Sequence, residues 1–120
     1  MPNAYQTEVW KAQLPDQWRA SEIDGQAHVQ MRKSEGVGAL EIIATDDAPS
    51  AWRQEGEMYH GQLYGRTGTW TSHEFDRFGR WWTLLCGDVT LYVFYRCAAR
   101  ESESERSDIE SIVYSLLPVA

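Results

Sequence analysis

No apolar run in this 120-residue chain is long enough to span a bilayer. Its opening residues, MPNAYQTEVWKAQLPDQW, lack both the basic leader and the apolar segment of a signal peptide. Both absences point to a cytoplasmic protein with no membrane partner. Positive charge is scarce: 11 Lys and Arg stand against 18 Asp and Glu, a formal charge of −7. A chain of that sign repels phosphate backbones and anionic lipid at long range, which argues against nucleic acid as a ligand. Only two cysteines occur, and there is no CxxC, P-loop, Gly-x-Ser-x-Gly or Gly-x-Gly-x-x-Gly string. The familiar redox, nucleophile and phosphate signatures are therefore missing. His28, His60 and His73 show no ligand spacing, so no metal site and no cofactor is expected.

What the chain does have is tryptophan: Trp10, Trp18, Trp52, Trp70, Trp81 and Trp82. Each brings a large apolar area and one N–H donor, suited to a core or to a partner surface. Hydrophobic residues make up 42% and charged residues 24%, enough for one buried core, and residues 1–120 read as a single domain.

The string WRASEIDGQAHVQMRK predicts a hairpin from about Trp18 to Lys33, turning at Asp24-Gly25, a dipeptide that accepts positive φ. ALEIIATD resumes extended structure and completes a meander. From about Pro49 to Leu63, Trp52, Glu55, Tyr59 and Leu63 recur near helical spacing, and a middle helix is expected there. TGTWTSHEFD alternates as a strand, and RWWTLLCGDVTLYVFYRC reads as a hairpin turning at Gly87-Asp88. If Cys86 opposes Val89, then Trp82, Leu84, Cys86, Leu91, Val93, Tyr95 and Cys97 share one face, and Trp81, Thr83, Leu85, Thr90, Tyr92 and Phe94 the other. The two cysteines then lie about 25 Å apart along the strands, too far to bridge. Ile109, Ile112, Val113 and Leu116 mark a closing helix, with a capping box at Ser107/Glu110 or Ser102/Glu105. The acidic run Glu101 to Glu105 ahead of it suits the positive helix end or a basic partner. Covering both faces of the sheet takes both helices. The expected fold is α+β: a mainly antiparallel sheet of about six strands in an α/β/α sandwich.

LPDQW (Leu14 to Trp18), GALEII (Gly38 to Ile43) and LYVFYRCAARESESERSDIESIVYSL (Leu91 to Leu116) resemble the PsbP-like superfamily in order and local sequence. That superfamily includes photosystem PsbP proteins, a fungal Ran-binding import factor and bacterial DcrB-type proteins. The resemblance implies an α/β/α sandwich and a binding or assembly role without catalytic residues.

With no reaction signature, the expected function is binding of another protein, as by a bacterial toxin-neutralising immunity protein or a type VI secretion-effector chaperone. The expected partner is a basic toxin or effector, and the expected surface is an aromatic group rimmed by acids: Trp52, Glu55, Glu57, Tyr59, Glu74, Trp81 and Tyr92. Tyr64, Trp70 and Phe94 belong to the same aromatic set, which equally suits a second core layer. The alternative function is a hydrophobic-ligand pocket between the sheet and the closing helix.

Overall fold

The computed structural model describes residues 3–46 and 56–119. They are mostly strand: β1 (Asn3–Gln6), β2 (Trp10–Leu14), β3 (Trp18–Asp24), β4 (His28–Lys33), β5 (Gly38–Thr45), β6 (Glu57–Tyr59), β7 (Gly65–Ser72), β8 (Arg77–Cys86) and β9 (Val89–Ala98). Helix α1 (Arg106–Tyr114) and a two-residue strand β10 (Leu117–Pro118) close the chain. Seven strands form one antiparallel sheet in the order β3-β4-β5-β9-β8-β7-β6, and β1-β2-β10 form a second. The large sheet is two meanders, β3 to β5 and β6 to β9, joined where β5 pairs with β9 from Gly38↔Cys97 to Thr45↔Thr90.

Turn chemistry sets the registers. Gly25 and Gly87 adopt φ of 55° and 62°, the left-handed region that glycine enters without a Cβ penalty. The hairpins they close run Trp18↔Lys33 and Cys86↔Val89, as their sequences suggest. Period-two alternation then sends Val29, Met31, Leu40, Ile42, Trp82, Leu84, Leu91 and Val93 to one face, where all are buried. We call this the inner face. It packs in one cluster with Trp10, Ala12 and Leu14 of β2 and with Ile109, Ile112, Val113 and Leu116 of the closing segment. Each of the larger side chains contributes roughly 1.5–3 kcal/mol on burial. Asp108 accepts a 2.9 Å bond from the Trp18 indole, and Ser115 Oγ accepts one of 2.8 Å from the Gln13 amide, tying α1 to both sheets. Cys86 and Cys97 are free and buried at opposite ends of the β8–β9 pair.

The architecture differs from the expected α/β/α sandwich of about six strands. Among the described residues there is one α-helix, on the inner side, and its companion layer is the small β-sheet. Residues 47–55, with Trp52 and Glu55 of the expected middle helix, lie outside the described residues. The described remainder is extended: Glu57 pairs with Thr67 and Tyr59 with Gly65. A turn follows in which the Tyr59 ring folds over Gly61, leaving no room for a Cβ there. Helical spacing in this stretch yields to strand pairing, helped by glycines that weaken a helix by roughly 1 kcal/mol each. Neither capping box forms. Glu105 is the N-cap residue of α1 without a side-chain cap bond, because its carboxylate points into the core. Pro118 both stops the helix and joins an edge strand opposite Trp10, a position that costs no ladder donor. No helix among the described residues is long and apolar enough to cross a membrane.

Candidate functional site

The other face of the large sheet, the outer face, is covered by no described strand or helix, although Gly56 packs against the Trp81 ring and its carbonyl accepts a 3.0 Å bond from Arg66. Its centre is aromatic. Trp81 of β8 opposes Phe94 of β9 on one side and Gly68 of β7 on the other, and Tyr92 opposes Thr83. Trp70 opposes Gly79. The two Trp–Gly pairs are reciprocal: the Trp81 ring lies over Gly68, where an added Cβ would come within 2.7 Å of it, and the Trp70 ring lies over Gly79. Each glycine thus seats the indole from the neighbouring strand flat against the backbone. Trp81, Tyr92 and Phe94 are half-buried, and Trp70 is 45% exposed.

Beside the aromatic rows lies a charged one. Glu41 of β5 is only 7% exposed, although it sits on the outer face. Its carboxylate accepts 2.9 Å and 2.7 Å contacts from Arg96 and His28, which reach it from the flanking strands β9 and β4. The Arg96 guanidinium also lies 5.2 Å from the Phe94 ring centroid. A buried carboxylate held by two donors is stable only while paired. Across the strands, His28 and Glu41 meet Ile43, Gln30 and Phe94, none of them a nucleophile. Toward the Gly38 end of β5, Gln30, Arg32, Glu41, Arg77 and Arg96 line a shallow depression of about 340 Å³.

The structure puts Trp81 and Tyr92 on the outer face and Tyr59, Glu57 and Glu74 elsewhere, while Trp52 and Glu55 lie outside the described residues. Tyr59 aligns with Gly65 and Leu84, and Glu57 with Thr67 and Trp82, so both belong to inner-face rows. Burial pushes the Tyr59 phenol up to about 12. Glu74 sits in the turn between β7 and β8. Of the expected acidic rim, neither Glu57 nor Glu74 is therefore in the outer-face rows, and Glu55 lies outside the described residues. Arginines stand there instead, and their signal in the sequence is alternation: Arg32 follows buried Met31, and Arg96 lies between buried Tyr95 and Cys97.

A second concavity lies between the sheet and the start of α1, about 230 Å³, lined by Phe78, Arg80, Tyr95, Glu103, Arg106 and Ile109 among others. Its arginines are already engaged. Arg80 bonds Glu110 at 2.9 Å and stacks 4.7 Å from the Trp82 ring, and Arg106 reaches Glu103 and Glu110. The Arg80 bond, aided by Arg106, holds the Glu110 carboxyl below its usual range. Nearby, Glu105 accepts from the Tyr95 hydroxyl at 2.7 Å and from the amides of Gly38 and Val37 at 3.1 and 3.4 Å. Burial, with that bond to a carboxylate, raises the Tyr95 phenol far above its ordinary value. Among the described residues no group of three or more His, Cys, Asp or Glu side chains is placed to hold a metal ion.

No protein-family model matches the chain, and no curated protein matches it significantly. A crystal structure from Bacteroides thetaiotaomicron is similar in fold, with a TM-score of 0.65 and 11% identity over 92% of this chain. The chain spans only 45% of that protein's length. At such identity the likeness concerns the fold alone.

Proposed function

We propose that this is a small non-enzymatic binding protein whose ligand is another protein, met on the outer face of the large sheet. The observation that carries the reading is the aromatic centre of that face: Trp70, Trp81, Tyr92 and Phe94 on adjacent strands, two of them locked flat by the Trp–Gly pairs. Rigid aromatic surface next to arginine is the composition that protein interfaces favour. Immunity proteins and type VI secretion-effector chaperones of bacteria are binding proteins of this kind. The hydrophobic-ligand reading rests on the cleft beside α1. That cleft is lined by Arg80, Glu103 and Arg106 beside Phe78, Tyr95 and Ile109, a charged wall that suits a hydrophobic ligand poorly.

The test compares the wild-type chain with a Trp81→Ala, Phe94→Ser variant that keeps its melting temperature, as two baits in native extract. The reading expects a protein retained by the first and lost by the second. Retention of the same proteins by both baits would contradict it.

A further inference from the structure

We infer that the partner places an acidic segment in an arginine-lined furrow at the Gly38 end of the outer face; this deepens the protein-binding reading and rests on it. The depression of about 340 Å³ is continuous with a second of about 180 Å³, sharing Gln30 and Arg32. Together they are lined by four outer-face arginines, Arg19, Arg32, Arg77 and Arg96, against one carboxylate, Glu41. The chain as a whole has only 11 Lys and Arg and a charge of −7, so the furrow is the reverse of the molecule's average. Little of that charge is neutralised. Arg19 and Arg77 have no ion-pair or hydrogen-bond partner among the described residues. Arg32 donates to the neutral Gln30 amide oxygen at 3.1 Å. Arg96 does meet Glu41, but its side chain is 60% exposed. Like charges gathered on a rigid sheet repel one another, and an incoming anion relieves that repulsion. The Glu41 bond holds the Arg96 fork in place, ready for bidentate contact with a carboxylate.

The geometry suits a peptide. From β3 to β8 the furrow crosses five strands, about 19 Å at the usual spacing, which about six extended residues would fill. It adjoins Phe94 and Tyr92, so a segment mixing acidic and apolar residues meets both kinds of surface. A single-stranded nucleic acid fits less well. Its evenly spaced phosphates would confront Glu41, and the field of the whole molecule opposes a long polyanion.

Selection of a random linear-peptide display library on the intact protein tests the inference. Enriched peptides should be net acidic with apolar residues interspersed. Their affinity should fall at least about tenfold on an Arg32→Glu, Arg77→Glu variant of unchanged melting temperature, and fall with added salt. A more conservative Arg32→Gln, Arg77→Gln pair should show a smaller loss in the same direction. Neutral or basic peptides that lose binding on Trp81→Ala but not on the arginine variants would overturn the furrow and leave the outer-face reading standing. Peptides indifferent to every one of these substitutions would overturn both. A labelled single-stranded oligonucleotide that outcompetes the acidic peptides would overturn the inference in favour of nucleic acid.

Discussion

Removing the Glu105 carboxylate leaves the Tyr95 hydroxyl and the Gly38 and Val37 amides without their acceptor. Glu105→Ala should therefore cost about 3 kcal/mol in a urea-unfolding experiment, whereas Glu103→Ala, on an exposed side chain, should stay within about 0.5 kcal/mol. Equal midpoints for the two would show that the Glu105 bonds carry no stability. The same contact gives stability an alkaline limit. In the unfolded chain Tyr95 ionises near its ordinary 10.0, while in the fold it holds its proton well beyond that. The folded state thus binds the extra proton, so its contribution is complete below about pH 10 and is lost as pH rises further. Tyr95→Phe should flatten that alkaline decline, read as melting temperature against pH. An unchanged slope would place the decline elsewhere, for example at Tyr59. The sequence offered Glu105 as part of an acidic run and as half of a Ser102/Glu105 capping box, both on the surface. That its side chain turns inward depends on the β4–β5 turn docking beneath it, a long-range contact no local pattern encodes.

At the scale of elements, α1 is held to the sheets by Ile109, Ile112 and Val113, all buried in one cluster with Trp10, Leu91 and Val93. Ile112→Asp places a charge there with no partner and should unfold the domain, a loss of at least about 4 kcal/mol, seen as collapse of the circular-dichroism melt. A retained melt would show that α1 does not dock. This helix was legible because its spacing is regular, and the two Gly-containing hairpins because tight turns demand particular residues. β2 was legible in principle: Trp10, Ala12 and Leu14 alternate with Lys11 and Gln13. Five residues beside a proline make a weak pattern, and only the pairing with β1 and β10 makes it a sheet. The described part of the expected middle helix, from Glu57, misled for a physical reason. Aromatic residues spaced by three or four satisfy a helix stripe, yet Glu57 to Tyr59 pair with β7 instead. The described residues, with one α-helix and two sheets, do not make the expected α/β/α sandwich.

For the whole molecule the instructive quantity is where the charge lies. A net −7 suggested a basic partner, but acidic residues spread over turns and α1 while arginines gather on the outer face. Composition reports the sum and strand alternation the distribution, and a partner meets only the distribution. Two of the seven residues expected at the site, Trp81 and Tyr92, could be placed on one face from the alternation of one hairpin. The arginines were equally alternating, but bringing Arg19, Arg32, Arg77 and Arg96 to one furrow requires the β5–β9 pairing that joins the two meanders. The central claim is that the outer-face aromatics, over which no described strand or helix packs, are where the partner sits. Hydroxyl-radical footprinting, with and without a selected acidic peptide, tests it most directly. Trp70, Trp81 and Phe94 should be labelled in the free protein and protected in the complex, while Trp10, Trp18 and Trp82, each no more than 1% exposed, stay unlabelled in both. Outer-face aromatics that resist labelling in the free protein, or that label equally in the complex, would contradict it.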